Sequence, residues 1–338
     1  MARPVSYRDA GVDIDAGEAL VDEIRKINPS IGGFGGLVPV PAGLREPQLV
    51  LSTDGVGTKL LVAQELDVYN TIGVDLVAMV VNDILAAGAS PIAFLDYYAV
   101  EKLSADEATE IVQGIANGCK QAGCELTGGE TAELPGVYPK GGFDLAGFGV
   151  GIVEKNHVID GSKIRPGDVV LGLPSSGLHS NGYSLARKVL LKGRGQLRGK
   201  ERTAALERLL VPTSIYVQPV LRLLKKIRVR GIAHITGGGL PGNLVRVLPE
   251  GTEAVLYPDR WERPAIFDTI AAHGPVEPAE MYKVFNMGIG LCLVLAKKDV
   301  AEAIRTLRRS MVHAVEIGTI RKGCNRVLID GVCLNGLE

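Results

Sequence analysis

The sequence predicts an α+β protein built as two α+β domains, and three observations carry that expectation. Its 338 residues exceed what a single hydrophobic core usually organises. Apolar residues make up 46% and charged residues 22% of the chain, the balance of a soluble globular protein. Helical and strand-like periodicities both occur, but past residue 168 they do not alternate strictly as β-α-β, which argues against a doubly wound sheet. A polar stretch from Asn156 to Asp168, carrying Gly161, Pro166 and Gly167, separates two apolar blocks. The division falls there, giving domains 1–160 and 161–338.

In the first block, Asp13 to Ile27 carries apolar residues at Ile14, Leu20, Val21, Ile24 and Ile27, the spacing of an amphipathic helix, and Asn28-Pro29 ends it. Ile31-Gly32-Gly33-Phe34-Gly35-Gly36-Leu37 then reads either as a flexible turn or as a lid over a ligand. Leu49-Val50-Leu51 predicts a buried strand that ends in Ser52-Thr53-Asp54-Gly55-Val56-Gly57-Thr58-Lys59. From Asp75 to Ala87 the chain is apolar nearly all round, the mark of a buried helix, interrupted by Asn82-Asp83. A buried Asp there needs a cap, an ion pair or a cation. Ser104-Ala105-Asp106-Glu107 fits a capping box opening a helix that closes at Gly123. Cys124 to Thr127 predicts a short strand running into a Gly-rich turn, Gly128-Gly129-Glu130-Thr131. Asp144 to Val153 is a strand interrupted by Gly147, Gly149 and Gly151.

In the second block, helices are expected near 181–192, 200–210, 214–228, 241–248, 263–273 and 298–310. Strands are expected near 169–173, 231–235, 253–257, 289–296, 314–321 and 326–330.

Several classes of function are excluded. The net charge of −1, without a basic stripe, argues against nucleic acid. Cys119, Cys124, Cys292, Cys324 and Cys333 form no C-x-x-C, which argues against a zinc site or a disulfide framework. Met1-Ala2-Arg3-Pro4 leads into no apolar segment, and the run Ile289 to Ala296 is too short for a bilayer, so a cytoplasmic protein without membrane contact is expected. Neither G-x-x-x-x-G-K-[ST] nor a helix-opening G-x-G-x-x-G follows a strand, which removes the ordinary P-loop and weakens a dinucleotide reading.

What remains is a set of acidic and Gly-rich clusters. Asp54, Asp83 and Glu130 are three carboxylates expected on loops at element ends. With Lys59 and the Gly-rich turns they suit a magnesium-nucleotide: oxygen ligands for a hard cation, a cationic side chain and backbone donors for phosphates. Pro174 to Gly182, between a strand and a helix, suits a phosphate monoester or plain N-capping. His234-Ile235-Thr236-Gly237-Gly238-Gly239 puts a histidine at a loop edge, where it serves chemistry or a core.

These clusters, in this order, resemble the phosphoribosylformylglycinamidine cyclo-ligase (AIR synthetase) family over almost the whole chain. The likeness runs through Ser6 to Gly17, Gly33 to Leu37, Thr53 to Lys59, Gly73 to Met79, Val81 to Ile84 and Phe94 to Tyr98. It continues through Gly128 to Gly136, Ser175 to Leu185 and His234 to Gly239. The resemblance implies ATP- and Mg²⁺-dependent closure of formylglycinamidine ribonucleotide (FGAM) to aminoimidazole ribonucleotide (AIR). It also implies a homodimer joined through a β-rich, barrel-like interface of the N-terminal halves.

Carried over by residue, it implies metal ligation by Asp54, Asp83 and Glu130, and catalytic roles for Asp54, Lys59 and His234. ATP and its phosphates would be held by Arg25, Lys26, Gly33, Gly35, Gly36, Asp54, Gly55, Thr58, Lys59 and Asn82. The ribose phosphate of the substrate would be held by Ser176, His179, Ser180 and Asn181. Where the family carries a longer basic stretch before the Gly-rich loop, this chain runs from Ile24 to Ser30 almost directly into Gly32, so the cation there falls to Arg25 or Lys26. Thiamine-monophosphate kinase, selenophosphate synthetase and a hydrogenase-maturation dehydratase share the superfamily resemblance but fit less well. A catalytically silent ATP-binding relative is the alternative from another class.

Overall fold

The computed structural model describes residues 14–29, 31, 35–192 and 196–333. Gly33, expected at the nucleotide, lies outside them. The first half runs α1 (Ile14–Ile27), β1 (Pro47–Gly55), α2 (Leu60–Leu66), α3 (Asn70–Ala86), β2 (Ser90–Val100), α4 (Ala105–Ala122), β3 (Glu125–Glu133) and β4 (Phe143–Glu154). The second runs β5 (Asp168–Pro174), α5 (Tyr183–Arg187), α6 (Gly199–Leu209), α7 (Val217–Leu224), β6 (Val229–His234), α8 (Gly239–Leu244) and β7 (Thr252–Leu256). It ends with α9 (Ala265–His273), α10 (Pro278–Val284), β8 (Ile289–Ala296), α11 (Val300–Arg308), β9 (Val315–Lys322), β10 (Val327–Ile329) and β11 (Val332–Cys333).

Among the described residues these strands form two sheets, ordered β1-β4-β2-β3 and β11-β10-β7-β9-β5-β8-β6. Both are mixed: β2–β3 and β7–β10 pair parallel, and the other pairs are antiparallel. This is the expected α+β architecture.

The two sheets are covered differently. In β5 and β8 alternate residues feed two apolar clusters: Val169, Leu171, Leu291 and Leu293 point into one, Val170, Cys292 and Val294 into the other. Such strands read as continuous apolar runs because both faces are buried. Among the described residues the four-stranded sheet has only one covered face. There α3 lies on β4, where a Cβ at Gly147, Gly149 or Gly151 would come within 3.1, 2.6 and 2.2 Å of Leu76, Val80 and Ile84 respectively. The glycines that interrupt the expected strand thus admit a helix to close approach. On the other face Leu49 (63% exposed) and Leu51 (59%) stand open beside Tyr97 and Phe148, so β1 is not the buried strand its apolar run suggested.

α3 is buried by Ile72, Leu76, Val77, Val80, Val81, Ile84 and Leu85, each worth about 1.5–3 kcal/mol when fully withdrawn from water. It belongs to a single apolar cluster that reaches Leu171, Leu173, Val217 and Val220 in the second half. The expected capping box appears as a long contact of 3.5 Å from the Glu107 N–H to Ser104 Oγ, and Gly123 closes α4 at φ 79°. Gly128 to Thr131 is no turn; it lies inside β3, paired with β2.

Candidate active site

The site is assembled along one row of α3, the polar Asp75, Asn82 and Asp83 with Met79 between them, which faces the loops at the junction of the two halves. Residues four and seven or eight positions apart share a helix face, and between them the members of this row meet the 175–182 loop, the 211–216 segment and His234. Asn82 is wholly buried: its Nδ2 donates to Ser214 O at 2.9 Å and its Oδ1 accepts from Tyr216 N at 3.0 Å. Its amide is therefore occupied in fixing the 211–216 segment. This geometry lends no support to the expected nucleotide contact of Asn82.

The first of two polar clusters is closed. Lys59 and Asp75 are both fully buried and paired at 2.8 Å. Lys59 Nζ also donates to Val211 O at 2.7 Å and His179 O at 3.2 Å. Asp75 Oδ1 accepts from Thr213 N at 2.7 Å, Thr213 Oγ1 at 2.5 Å and Ser180 Oγ at 3.2 Å. Lys59 is thus an internal cation whose amine faces Asp75 and two carbonyl oxygens, a geometry that lends no support to its expected phosphate contact or catalytic role.

The same geometry revises the substrate-phosphate set. Ser180 Oγ is spent on Asp75 and Thr213. Ser176 Oγ donates to Pro212 O at 2.5 Å, while its N–H donates to His179 Nε2 at 3.2 Å. His179 itself is buried, and burial, aided by the nearby His234 and Lys59, pushes its imidazole well below the ordinary histidine range. It is neutral and holds the loop. Of the four, Asn181 is the one half-buried at the loop edge, close to Gly237 of the next loop.

The second cluster is open. Asp83 Oδ1 lies 2.8 Å from His234 Nδ1, and Asp83 is the exposed partner, its side chain 44% accessible against 2% for the histidine. With Nδ1–H donating to the carboxylate, Nε2 keeps its lone pair. That nitrogen is buried and has no protein partner. Asp54, half-buried near the end of β1, completes the group. Burial raises its carboxyl above the usual range; the Gly55 N–H at 2.8 Å opposes this, Asp83 adds to it and His234 lowers it.

His234 closes β6, paired with Leu291 of β8, and the turn after it must be tight. Gly239 (φ 59°) could carry no side chain there, because a Cβ would come within 1.9 Å of Tyr282 O. Asn243 ties the turn by donating to Gly239 O at 2.8 Å.

The remaining expected residues lie apart. Asp54 aligns across the sheet with Gly147 and Asp96, whereas Glu130 aligns with Tyr97 on the opposite, open face. The proposed trio Asp54, Asp83 and Glu130 is therefore not assembled: the pleat separates the third carboxylate. Among the described residues no group of three or more such side chains is arranged to hold a metal by itself. Glu130 instead lines a cleft of about 670 Å³ with Arg25, Asp22 and Asp96 between α1 and β3. Arg25 and Lys26 are exposed and pair with Asp22 (3.1 Å) and Glu23 (2.5 Å). Gly35 and Gly36 are exposed, and Gly36 passes against the Thr127 backbone. Thr58 is half-buried, its Oγ1 3.1 Å from Ser184 Oγ across the junction. Gly55 supplies its N–H to Asp54.

Sequence reasoning missed Asp75, Thr213 and Asp96 as site residues. Asp75 had a signal, an acid on the same face of an apolar helix as Asn82. Asp96 is signalled only by an acid amid Phe94, Leu95 and Tyr98. Burial pushes its carboxyl up to about 7.

Comparison with known proteins bears on the whole chain. Residues 41–153 match the N-terminal domain, and 165–331 the C-terminal domain, of AIR synthase related proteins. A protein of Myxococcus xanthus (strain DK1622) named phosphoribosylformylglycinamidine cyclo-ligase is 53% identical over 333 residues, covering 94% of this chain and 96% of its own. One of the same name from Burkholderia mallei (strain SAVP1) is 52% identical, covering 95% and 94%. The fold is shared with the hydrogenase maturation protein HypE in complex with ATP (TM-score 0.69, 18% identity, 96% and 95% covered). It is shared too with thiamine-monophosphate kinase from Stenotrophomonas maltophilia K279a (TM-score 0.66, 18% identity, 93% and 96% covered). Matched in both halves and at 53% identity across nearly its full length, this chain belongs to the AIR synthase related protein family.

Proposed function

We propose that this chain is an ATP-dependent phosphoribosylformylglycinamidine cyclo-ligase, an enzyme of purine biosynthesis that closes FGAM to AIR and releases ADP and phosphate. The observation that carries this reading is the 53% identity, spanning both halves, to relatives of that name. The open Asp54–Asp83–His234 cluster at the junction is consistent with it.

The formyl oxygen is a poor leaving group. In the proposed reaction it attacks the γ-phosphorus of ATP, forming an O–P bond as the bond to ADP breaks. The amidine nitrogen then attacks the formyl carbon, the C–O bond to phosphate breaks, and the nitrogen gives up a proton. His234 Nε2, buried and unpartnered, is the base for that proton, and Asp83 orients the ring and stabilises the imidazolium.

A magnesium ion fits part of the expected ligand set. Asp54 and Asp83 are hard oxygen donors whose mutual repulsion a divalent cation would relieve, and Asp83 Oδ2 is the oxygen not facing His234. Asp54 and Asp83 would hold it, and the ion would neutralise phosphate charge. Asn181 and the loop backbone around it are the proposed donors to the ribose phosphate. Glu130 and Arg25 belong to the α1–β3 cleft, and only the family likeness assigns Glu130 to the metal and Arg25 to the nucleotide.

The division at residue 160 is supported by the stretch between β4 and β5, which carries one 3-10 turn. A homodimer is supported by the open apolar face of Leu49, Leu51, Tyr97 and Phe148. A cytoplasmic location agrees with the absence, among the described residues, of a helix long and apolar enough to cross a membrane.

The deciding experiment incubates the protein with FGAM, ATP and Mg²⁺ and follows AIR and ADP together. Equal yields of both are expected. ATP binding with neither product would leave a silent relative, and ADP without AIR would point to another acceptor.

A further inference from the structure

The closed cluster joins three segments that local sequence keeps apart. Lys59 sits on the turn that follows β1, five residues beyond Asp54. Through Asp75 and its own amine it grips the 175–182 loop at His179 O and Ser180 Oγ, and the 211–216 segment at Val211 O and both donors of Thr213. Its centre is sealed: Lys59 and Asp75 are 0% exposed, Thr213 2%.

Two features say that this arrangement does more than stabilise. A buried ion pair is a poor source of stability, because desolvating two charges costs several kcal/mol per ion and well-packed apolar residues often serve as well or better. What it supplies is direction, since seven polar contacts with fixed angles define one arrangement of three loops. The second feature is the backbone of His179. It is held at φ 63°, in the left-handed region that a residue bearing a side chain seldom adopts. Its carbonyl accepts from Lys59, and its Nε2 accepts from Ser176 N. Strain of this kind persists only where surrounding contacts over-determine it, and here the contacts are those of Lys59 and Ser176. The next residues along the loop are Ser180, tied to Asp75, and Asn181, which reaches the Gly237 turn three residues past His234.

We propose that Lys59, Asp75 and Thr213 are positioning residues: a buried ionic latch that holds the 175–182 loop in the shape that receives the phosphorylated substrate, without touching substrate or nucleotide. The proposal rests on the cyclo-ligase reading for the identity of that substrate. It also departs from that reading in one respect, since it moves a lysine expected on ATP to the service of the other substrate.

The test uses Thr213→Val, which removes one hydroxyl donor to Asp75 and keeps the ion pair, and the neutral pair Lys59→Gln/Asp75→Asn. Steady-state kinetics with FGAM and ATP are measured beside hydrogen exchange across the chain. The expected result for Thr213→Val is a KM for FGAM raised about three- to tenfold, a KM for ATP unchanged within twofold, and faster exchange confined to 175–182 and 211–216. The double variant should show the same split, tenfold or more. A rise in the KM for ATP instead would return Lys59 to the nucleotide and overturn the latch. A lower Tm with both KM values unchanged would make the cluster merely structural and overturn it too. If the double variant does not fold, Thr213→Val decides alone. Should the parent make no AIR, the functional reading falls by itself. The latch is then judged by exchange, and unchanged protection of 175–182 in Thr213→Val would reject it.

Discussion

Two polar clusters hang on the same helix, eight residues apart, and they are built on opposite plans. Around Asp75 the ion pair with Lys59 is fully buried and Oδ1 takes every donor that reaches it, so that of this cluster His179 Nδ1 alone is left with neither a hydrogen bond nor an ion pair. Around Asp83 the carboxylate is exposed, the histidine beside it keeps a bare nitrogen, and Asp54 adds a charge the site does not neutralise. Polar groups in a fold can be spent on holding or kept for reacting. A satisfied network specifies geometry, whereas an orphaned buried atom in a native protein calls for a partner that arrives from outside.

That contrast can be broken from either side. The largest effect is expected from Lys59→Met, which leaves the Asp75 carboxylate buried without its counter-ion and should cost about 3–5 kcal/mol in denaturant-unfolding free energy. An unfolding midpoint equal to the parent's would mean that Asp75 is not confined as described. Asp54→Asn should do the reverse, lowering turnover by about 10²–10³-fold through lost charge stabilisation while the thermal midpoint stays put. Turnover like the parent's would remove Asp54 from the chemistry. His234→Ala should lower kcat by about 10²-fold, the usual worth of a positioned base. Added imidazole is expected to restore part of the loss, and a variant as fast as the parent would retire the base.

A third carboxylate sharpens the comparison. Asp96 is protonated to about pH 7 in the folded protein, against 3.8 for an ordinary side chain. Between those values the folded state binds a proton that the unfolded chain has released, so stability falls as pH rises from about 4 to about 7 and then levels. Asp96→Asn should flatten that part of the pH–stability curve and raise the thermal midpoint at pH 8. An unchanged curve would show that Asp96 ionises normally.

Much of this was legible beforehand, and the errors have physical causes. The buried helix was readable because α3 is apolar around its circumference, and Asn82-Asp83 was the one interruption worth noticing. Adjacent residues on a helix point about 100° apart, so one became a loop anchor and the other a partner of His234, and no local pattern says which. Lys59 looked like a phosphate ligand because it follows two glycines. Its true partner is sixteen residues away, and pairing at that range leaves no trace in composition. Gly128-Gly129 read as a turn because glycine is the usual turn residue, yet parallel pairing with β2 holds it in a strand. Leu49 and Leu51 alternate, the mark of a strand with one apolar face, but nothing local tells which face is covered.

The row of glycines in β4 has a consequence for how the enzyme can vary. Gly147, Gly149 and Gly151 set the height at which α3 rides above the sheet, and that helix carries Asp75, Asn82 and Asp83 together. A methyl group added at Gly149 would have to push Val80 and Ile84 aside, lifting the helix and both clusters with it. Displacements near 1 Å can cost about 10²-fold in rate even when made far from the reacting atoms. The gauge of this active centre is thus a strip of absent side chains, and a lesion there would register twice, as overpacking that lowers the melting point and as poor kinetics.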